Sequence, residues 1–218
     1  MSPILGARIA RTSRHARAQS LVETALLLPV LLLLLSGLVE FGFLLNRYLI
    51  LLDAVRNAAR FSSDSLYSAA FPDTACDVGA VPYPHFTDFF GQTACLVMRE
   101  LGNEQPVVLL DLARDDVIVS AFSVEAGVGV TRYPPAFGDA GFSYFGNLAS
   151  DFTTADINSM LQAGAPSTGL LLVEVWYNYD QVLRLPWITA FLPDPIPLHL
   201  HTVMPLVSAE PTSTPSTP

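Results

Sequence analysis

Of the 218 residues 51% are hydrophobic and only 14% charged, against a charged share of about 25% in an ordinary soluble domain, which excludes a disordered chain and points to one long uncharged run. The net charge of −9 is unevenly spread: residues 1–18 hold Arg8, Arg11, Arg14 and Arg17 and no acid, leaving 7 arginines against 20 acids, a net −13, on residues 19–218. Such an acidic body repels phosphates, so nucleic acid is excluded as its partner, and two cysteines are too few for a disulfide scaffold or a four-cysteine zinc site.

Residues 1–18 read as a basic cytoplasmic leader. The uncharged run follows, and between residues 24 and 46 it carries one acid, Glu40. Wound as a helix, that stretch spans roughly 35 Å, enough to cross a hydrocarbon core of about 30 Å. Leucine on nearly every side leaves no polar face, which argues against the core helix of a soluble protein. The run is also longer than the apolar core of about 7–15 residues in a cleaved secretory signal. With the arginines on the leader side, the positive-inside rule predicts a single-pass protein of the cytoplasmic membrane, its N-terminus cytoplasmic and the bulk of the chain exported. Past the span, Leu45, Leu49, Leu52, Val55 and Ala59 keep helical spacing while Asp53, Arg56 and Arg60 fall on the other side. One helix thus covers residues 20–64, on the order of 65 Å, with two or more turns beyond the bilayer. Pro29 lies within it and should bend it locally.

Two acids on this helix are candidate functional residues. Glu23, at the inner membrane edge, is costly unless paired; it either takes a partner from a neighbouring helix or snorkels into the headgroups. Glu40 lies about 25 Å further along. If the span is 24–46, Glu40 is inside the bilayer and faces a partner helix; if the span ends near Val39, it sits at the outer interface and the apolar segment has 16 residues.

The remainder reads as a small α+β domain over residues 66–207 with an antiparallel sheet of three or four strands packed beside the long helix. Proline and glycine between residues 71 and 84 end the helix. Residues 86–101 predict a short helix, 107–112 either a strand or a helical turn, and 117–124 and 128–133 strands, with a turn or bulge at Gly127 and Gly129. Residues 151–163 predict a helix with Thr153 and Asp156 at capping-box spacing. The alternation in 169–179 is the strongest strand signal, and 195–206 fits an edge strand, its prolines near the ends. Residues 208–218, rich in Pro, Ser and Thr, predict a disordered tail. Cys76 and Cys95, 19 positions apart, would form a disulfide in an oxidising compartment, worth about 3 kcal/mol; two buried thiols are the alternative. His199 and His201 share a strand face but lack a third ligand, so no metal site is predicted. No nucleophile elbow, Walker loop or dinucleotide loop occurs, so neither enzymatic activity nor a cofactor is expected.

Around Gln19-Ser20-Leu21-Val22-Glu23, the leucine-rich span with Pro29, Glu40-Phe41-Gly42 and the continuation DAVRNAARFSS, residues 18–60 resemble the TadE-like minor pilins, or pseudopilins, of the tight-adherence (Flp-type pilus) system. The resemblance implies processing by a prepilin peptidase five residues before a Glu, usually after Gly. Here that bond is Ala18–Gln19, with Ala18 in place of Gly, and Glu23 becomes the fifth residue. It further implies a structural role in assembling a pilus or secretion fibre, through helix packing with other pilins and with the Tad secretion machinery. Paired with the freed α-amine of a neighbour, Glu23 would fix the axial stagger between subunits. The alternative is a membrane-anchored extracytoplasmic binding or sensor module that never polymerises.

Overall fold

The computed structural model describes residues 12–65, 76–78, 81–82, 88–103, 107–125, 129–161 and 167–206. The tail over 208–218 lies outside them. Helix α1 runs over Thr12–Ser63, passing through Pro29 without interruption. It therefore begins upstream of residue 20, inside the stretch read as the leader. The chain divides into two compact units: residues 1–44 with 181–194, and residues 45–180 with 195–218. A long apolar helix followed by a domain with an antiparallel sheet and helices makes the fold α+β.

The larger unit contains strands β1 (Asp77–Val78) and β2 (Val81–Pro82), helix α2 (Phe89–Asn103), and strands β3 (Asp116–Glu125), β4 (Gly129–Tyr133) and β5 (Phe142–Ser143). Helix α3 (Thr154–Met160) and strands β6 (Thr168–Tyr179) and β7 (Ile196–Leu206) complete it. The main sheet has five strands, all pairings antiparallel, in the order β4-β3-β6-β7 with β5 added on β3. The fifth strand, β5, has only two residues, too few to show the alternation by which the other four are predicted. β7 lies at the edge, where Pro197 and Pro205 need give no N–H to a further strand.

Register sorts the sheet into two faces. Val117, Val119 and Ala121 of β3, Leu171, Val173 and Val175 of β6, and Leu200 and Leu206 of β7 join one core with α2 and with α1 residues Ile50, Leu51, Ala54, Val55, Ala58 and Ala59. Of the predicted stripe of α1, Val55 and Ala59 are buried and Leu52 packs against the core, and Asp53, Arg56 and Arg60 face outward as predicted, but Leu45 and Leu49 are exposed and the buried face is widened by Ile50, Leu51, Ala54 and Ala58. A helix apolar on most of its surface offers several stripes of equal spacing, and small residues at 54, 58 and 59 let the sheet approach closer than leucines would. α2 starts at Phe89 rather than 86 because the Asp88 carboxylate accepts from the Gly91 N–H at 2.7 Å, an N-cap. Residues 107–112 form neither helix nor strand.

The second face carries Ser120 and Phe122 of β3, Arg132 of β4, Glu174 of β6 and His199 of β7. Arg132 is buried, yet every side-chain nitrogen has an acceptor: Nε and Nη2 donate to Ser120 Oγ at 3.1 and 2.6 Å, and Nη1 donates to the carbonyls of Asp139 and Phe152 at 2.6 and 2.5 Å. Its guanidinium also lies 5.2 Å from the centre of the Phe122 ring. Burial pulls its pKa down, opposed by the charges of Glu174 and Asp139. Gly141, at φ +71°, closes over this group; a Cβ there would stand 2.5 Å from Ser120 Oγ and 2.7 Å from Arg132 Nη2. The capping box opens α3 as expected, with Asp156 N–H donating to Thr153 Oγ1 and Thr153 N–H to the Asp156 carboxylate. That cap also explains why the helix starts at Thr154 and not at 151, for the Asp151 N–H is taken by Glu174 instead.

Cys76 and Cys95 are both buried, joined as a disulfide with Cα atoms 5.5 Å apart.

Two predictions concern this unit. Replacing Arg132 by Met should lower stability by about 3 kcal/mol, since Ser120 and two carbonyls then lose a buried charged donor; equal urea midpoints for variant and wild type would contradict the network. Replacing both Cys76 and Cys95 by Ala should cost about 3 kcal/mol, read as a lower thermal midpoint that reductant reproduces in the wild type.

The apolar helix and the loop bound to Glu40

The smaller unit holds the predicted membrane segment. Every side chain from Leu21 to Leu35 is exposed, including Leu26, Leu31 and Leu34. Helix 21–63 is long and apolar enough to cross a membrane, and no residue of its most apolar window is buried by the rest of the chain. A core helix would be covered, whereas this surface of leucine and valine has no protein against it. At about 25 cal/mol per Å² of apolar surface, such a rod is stable only in lipid or against other helices. Among the described residues it is the one helix of this kind, which suggests single-pass membrane anchoring.

Several predicted residues fall on this rod. The Ala18–Gln19 bond lies within α1, seven positions after its first residue. Glu23 is exposed on the helix surface. Pro29 removes the N–H that would serve the carbonyl of Ala25. Phe41 projects outward, and Gly42 beside it has open space around its Cα, with nothing within 4 Å of a Cβ built there.

Glu40 needs no partner helix to satisfy its carboxylate. It is only 4% exposed, and its carboxylate is occupied from within the same chain. Oε1 accepts from the Val182 N–H at 2.9 Å and Oε2 from the Leu183 N–H at 2.8 Å. Two successive backbone donors make a charge-assisted clamp that supplies what a partner helix was expected to supply. The donors belong to residues 181–194, which contain helix α4 (Pro186–Thr189). This segment has a second attachment, the Trp187 indole N–H donating to Ser36 Oγ at 3.1 Å, while that hydroxyl donates to the Leu33 carbonyl. Its ends are drawn together by Asp194, which accepts from the Gln181 N–H at 3.0 Å and lies 3.4 Å from Arg184 Nε. No signal in the sequence links positions 142 and 143 residues apart; the proline and tryptophan between two strands mark a turn, but not its target.

His199 and His201 belong to the larger unit, on the second sheet face. His199 Nε2 lies 3.1 Å from a Glu174 oxygen, its ring stacks on Trp176 at 4.0 Å, and the two histidine rings are 5.8 Å apart. Glu174 also accepts from Ser150 Oγ. Histidine and glutamate are thus used in packing and hydrogen bonding. Among the described residues no group of three His, Cys, Asp or Glu could hold a metal ion.

Residues 18–60 match the family model described as TadE-like protein, out of 218 residues in all. No curated protein and no solved structure matches the chain. The match takes in Gln19, Glu23, Pro29, Glu40, Phe41 and Gly42, and it associates the chain with components of the Tad pilus.

Cutting the Glu40 clamp should loosen residues 181–194. In Glu40→Ala the two amides lose their shared acceptor, about 2–3 kcal/mol, and trypsin should cut after the exposed Arg184 at least about tenfold faster. Unchanged cleavage would mean that the clamp does not hold the loop.

Proposed function

We propose that the chain is a TadE-like minor pilin or pseudopilin, a structural component in assembling a Tad-type pilus or secretion fibre. The observation that carries this reading is the coincidence of the TadE-like match with a helix whose apolar surface is bare from Leu21 to Leu35 and whose one acid at the inner end, Glu23, is exposed. Such a surface has two uses, to lie in lipid and to pack against like helices, and a subunit that moves from bilayer to fibre needs both. No chemistry on a substrate is required of it.

In this reading the N-terminus is cytoplasmic and the sheet unit is extracytoplasmic, following the arginines of residues 1–18. The disulfide between Cys76 and Cys95 fits an oxidising compartment. A prepilin peptidase would cut between Ala18 and Gln19, and because this bond is helical, one turn of α1 must open for the cut. The freed amine lies four residues, about 6 Å, from Glu23 along its own helix. That amine pairs better with the Glu23 of a neighbour displaced along the fibre axis, which fixes the stagger. Phe41 and Gly42, exposed and uncrowded, supply a knob and a flat site for a neighbouring helix.

Mass spectrometry of the protein from its native host should find Gln19 at the N-terminus, while an uncut Met1 or Ser2 start would favour an anchored module that does not polymerise. Glu23→Ala should insert normally and lower incorporation into fibres by about tenfold, the loss of one charge-assisted contact; incorporation at the wild-type level would remove the pairing mechanism. Gly42→Leu should leave thermal stability unchanged and reduce fibre incorporation, since only a neighbouring helix would meet the added side chain.

A further inference from the structure

Residues 181–194 present an apolar surface that the proposed assembly contacts do not use. Phe191 is 86% exposed and Trp187 42%, with Val182 and Leu192 about half exposed beside them. In water a phenylalanine at such exposure brings no return. The polar groups, by contrast, are largely spent within the segment. The N–H groups of Ile188, Thr189, Ala190, Phe191 and Leu192 donate to carbonyls of residues 185–188. Those of Val182 and Leu183 go to Glu40, and that of Gln181 goes to Asp194. Arg184 and Asp194 balance one another. A segment with apolar side chains outward and backbone donors internally satisfied suits a water-poor boundary.

Its attachment fixes where that boundary is. The loop is fastened to α1 at Ser36 and Glu40, beside Leu38, Val39, Phe41 and Phe43, which are exposed in turn. The uncharged helix below it, residues 24–39, measures about 24 Å, short of a hydrocarbon core of about 30 Å. Apolar side chains of the loop at the level of Ser36 to Glu40 add to the belt where the helix alone falls short. Tryptophan with its N–H bonded and its ring exposed is the side chain that headgroup boundaries favour.

We propose that residues 181–194 form a second membrane contact, seated in the headgroup–acyl boundary of the leaflet at the C-terminal end of the span, with Trp187 and Phe191 as anchors and Glu40 as the positioning residue. This rests on the membrane-anchored reading of α1 and adds to it a lipid partner for a segment that lies 141 residues beyond Glu40 at its nearest. Glu40 then lies at the boundary, its charge answered by loop amides rather than by headgroups or another helix.

The test uses the full chain at one copy per phosphatidylcholine nanodisc, with some lipids brominated near the head of the acyl chains. The chain has two tryptophans. In Trp176→Phe, leaving Trp187 as reporter, emission should fall about twofold in brominated discs relative to unbrominated ones, as for a ring at the boundary. Trp187→Phe, leaving Trp176, should show no fall, and the wild-type minus Trp187→Phe difference repeats the reading with the sheet unaltered. Glu40→Gln should cut the quenching of Trp187 while insertion stays complete. Trp187 that is unquenched by bromolipid in inserted protein overturns the proposal and leaves the membrane span intact; if the same ring becomes shielded only when fibres form, its partner is another subunit. Failure of the chain to enter nanodiscs at all, seen by co-sedimentation, overturns instead the anchored reading on which the proposal stands.

Discussion

A carboxylate within an apolar helix must find donors, and for Glu40 those donors are the backbone N–H groups of Val182 and Leu183. Much of the smaller unit follows from that requirement. A side-chain partner could have come from anywhere on a neighbouring molecule, but two consecutive amides can come only from a chain segment laid against the helix. Residues 181–194 therefore return to α1 between β6 and β7, and the indole of Trp187 makes a second tie one turn away at Ser36. The acid that looked like the strongest reason for a partner helix is satisfied within its own chain, and Glu23 remains the acid open to a neighbour.

The larger unit solves a similar problem with opposite charge. Arg132 is enclosed by a hydroxyl, two carbonyls and an aromatic ring, and Gly141 is the residue that lets the covering segment come close enough to enclose it. Asp116 plays the corresponding part at the start of β3: its buried carboxylate accepts from Val117, Phe145, Asn147 and Leu148 N–H groups and from Ser143 Oγ, which orders the turn after β5. Arg132, Asp116 and Glu174 are thus engaged in holding loops, while the buried Trp176 indole N–H on the same face as Glu174 has no acceptor among the described residues.

What could be read from residue order was what depends on local periodicity. The apolar run at 24–39, the strands at β3, β4, β6 and β7, and the capping box at Thr153 and Asp156 each declare themselves within a dozen residues. Boundaries moved where a single side chain decided them, as at Asp88 before α2 and at Thr153 before α3. Where the buried stripe on α1 begins was illegible, so that Leu45 and Leu49 are exposed while Val55 and Ala59 are buried, because a leucine-rich helix offers more than one stripe and the choice is made by the sheet. The partners of Glu40 and Arg132 were illegible for a deeper reason: hydrogen bonds to backbone amides and carbonyls carry no residue signature, so no composition at 182, 183, 139 or 152 announces them. The stretch that shows resemblance to a family is the helix itself, from its bare apolar surface to the residues that pack on the sheet.

The span in chain order between Glu40 and its donors, 142 and 143 positions, has a consequence in time. At a synthesis rate of about 5–20 residues per second, the carboxylate is made roughly 7–28 seconds before Val182. If the helix enters a bilayer while the chain is still being made, it does so with its acid unanswered, and the leucines ahead of it must drive partition by themselves. The clamp would then close afterwards, as a latch on a rod already in place.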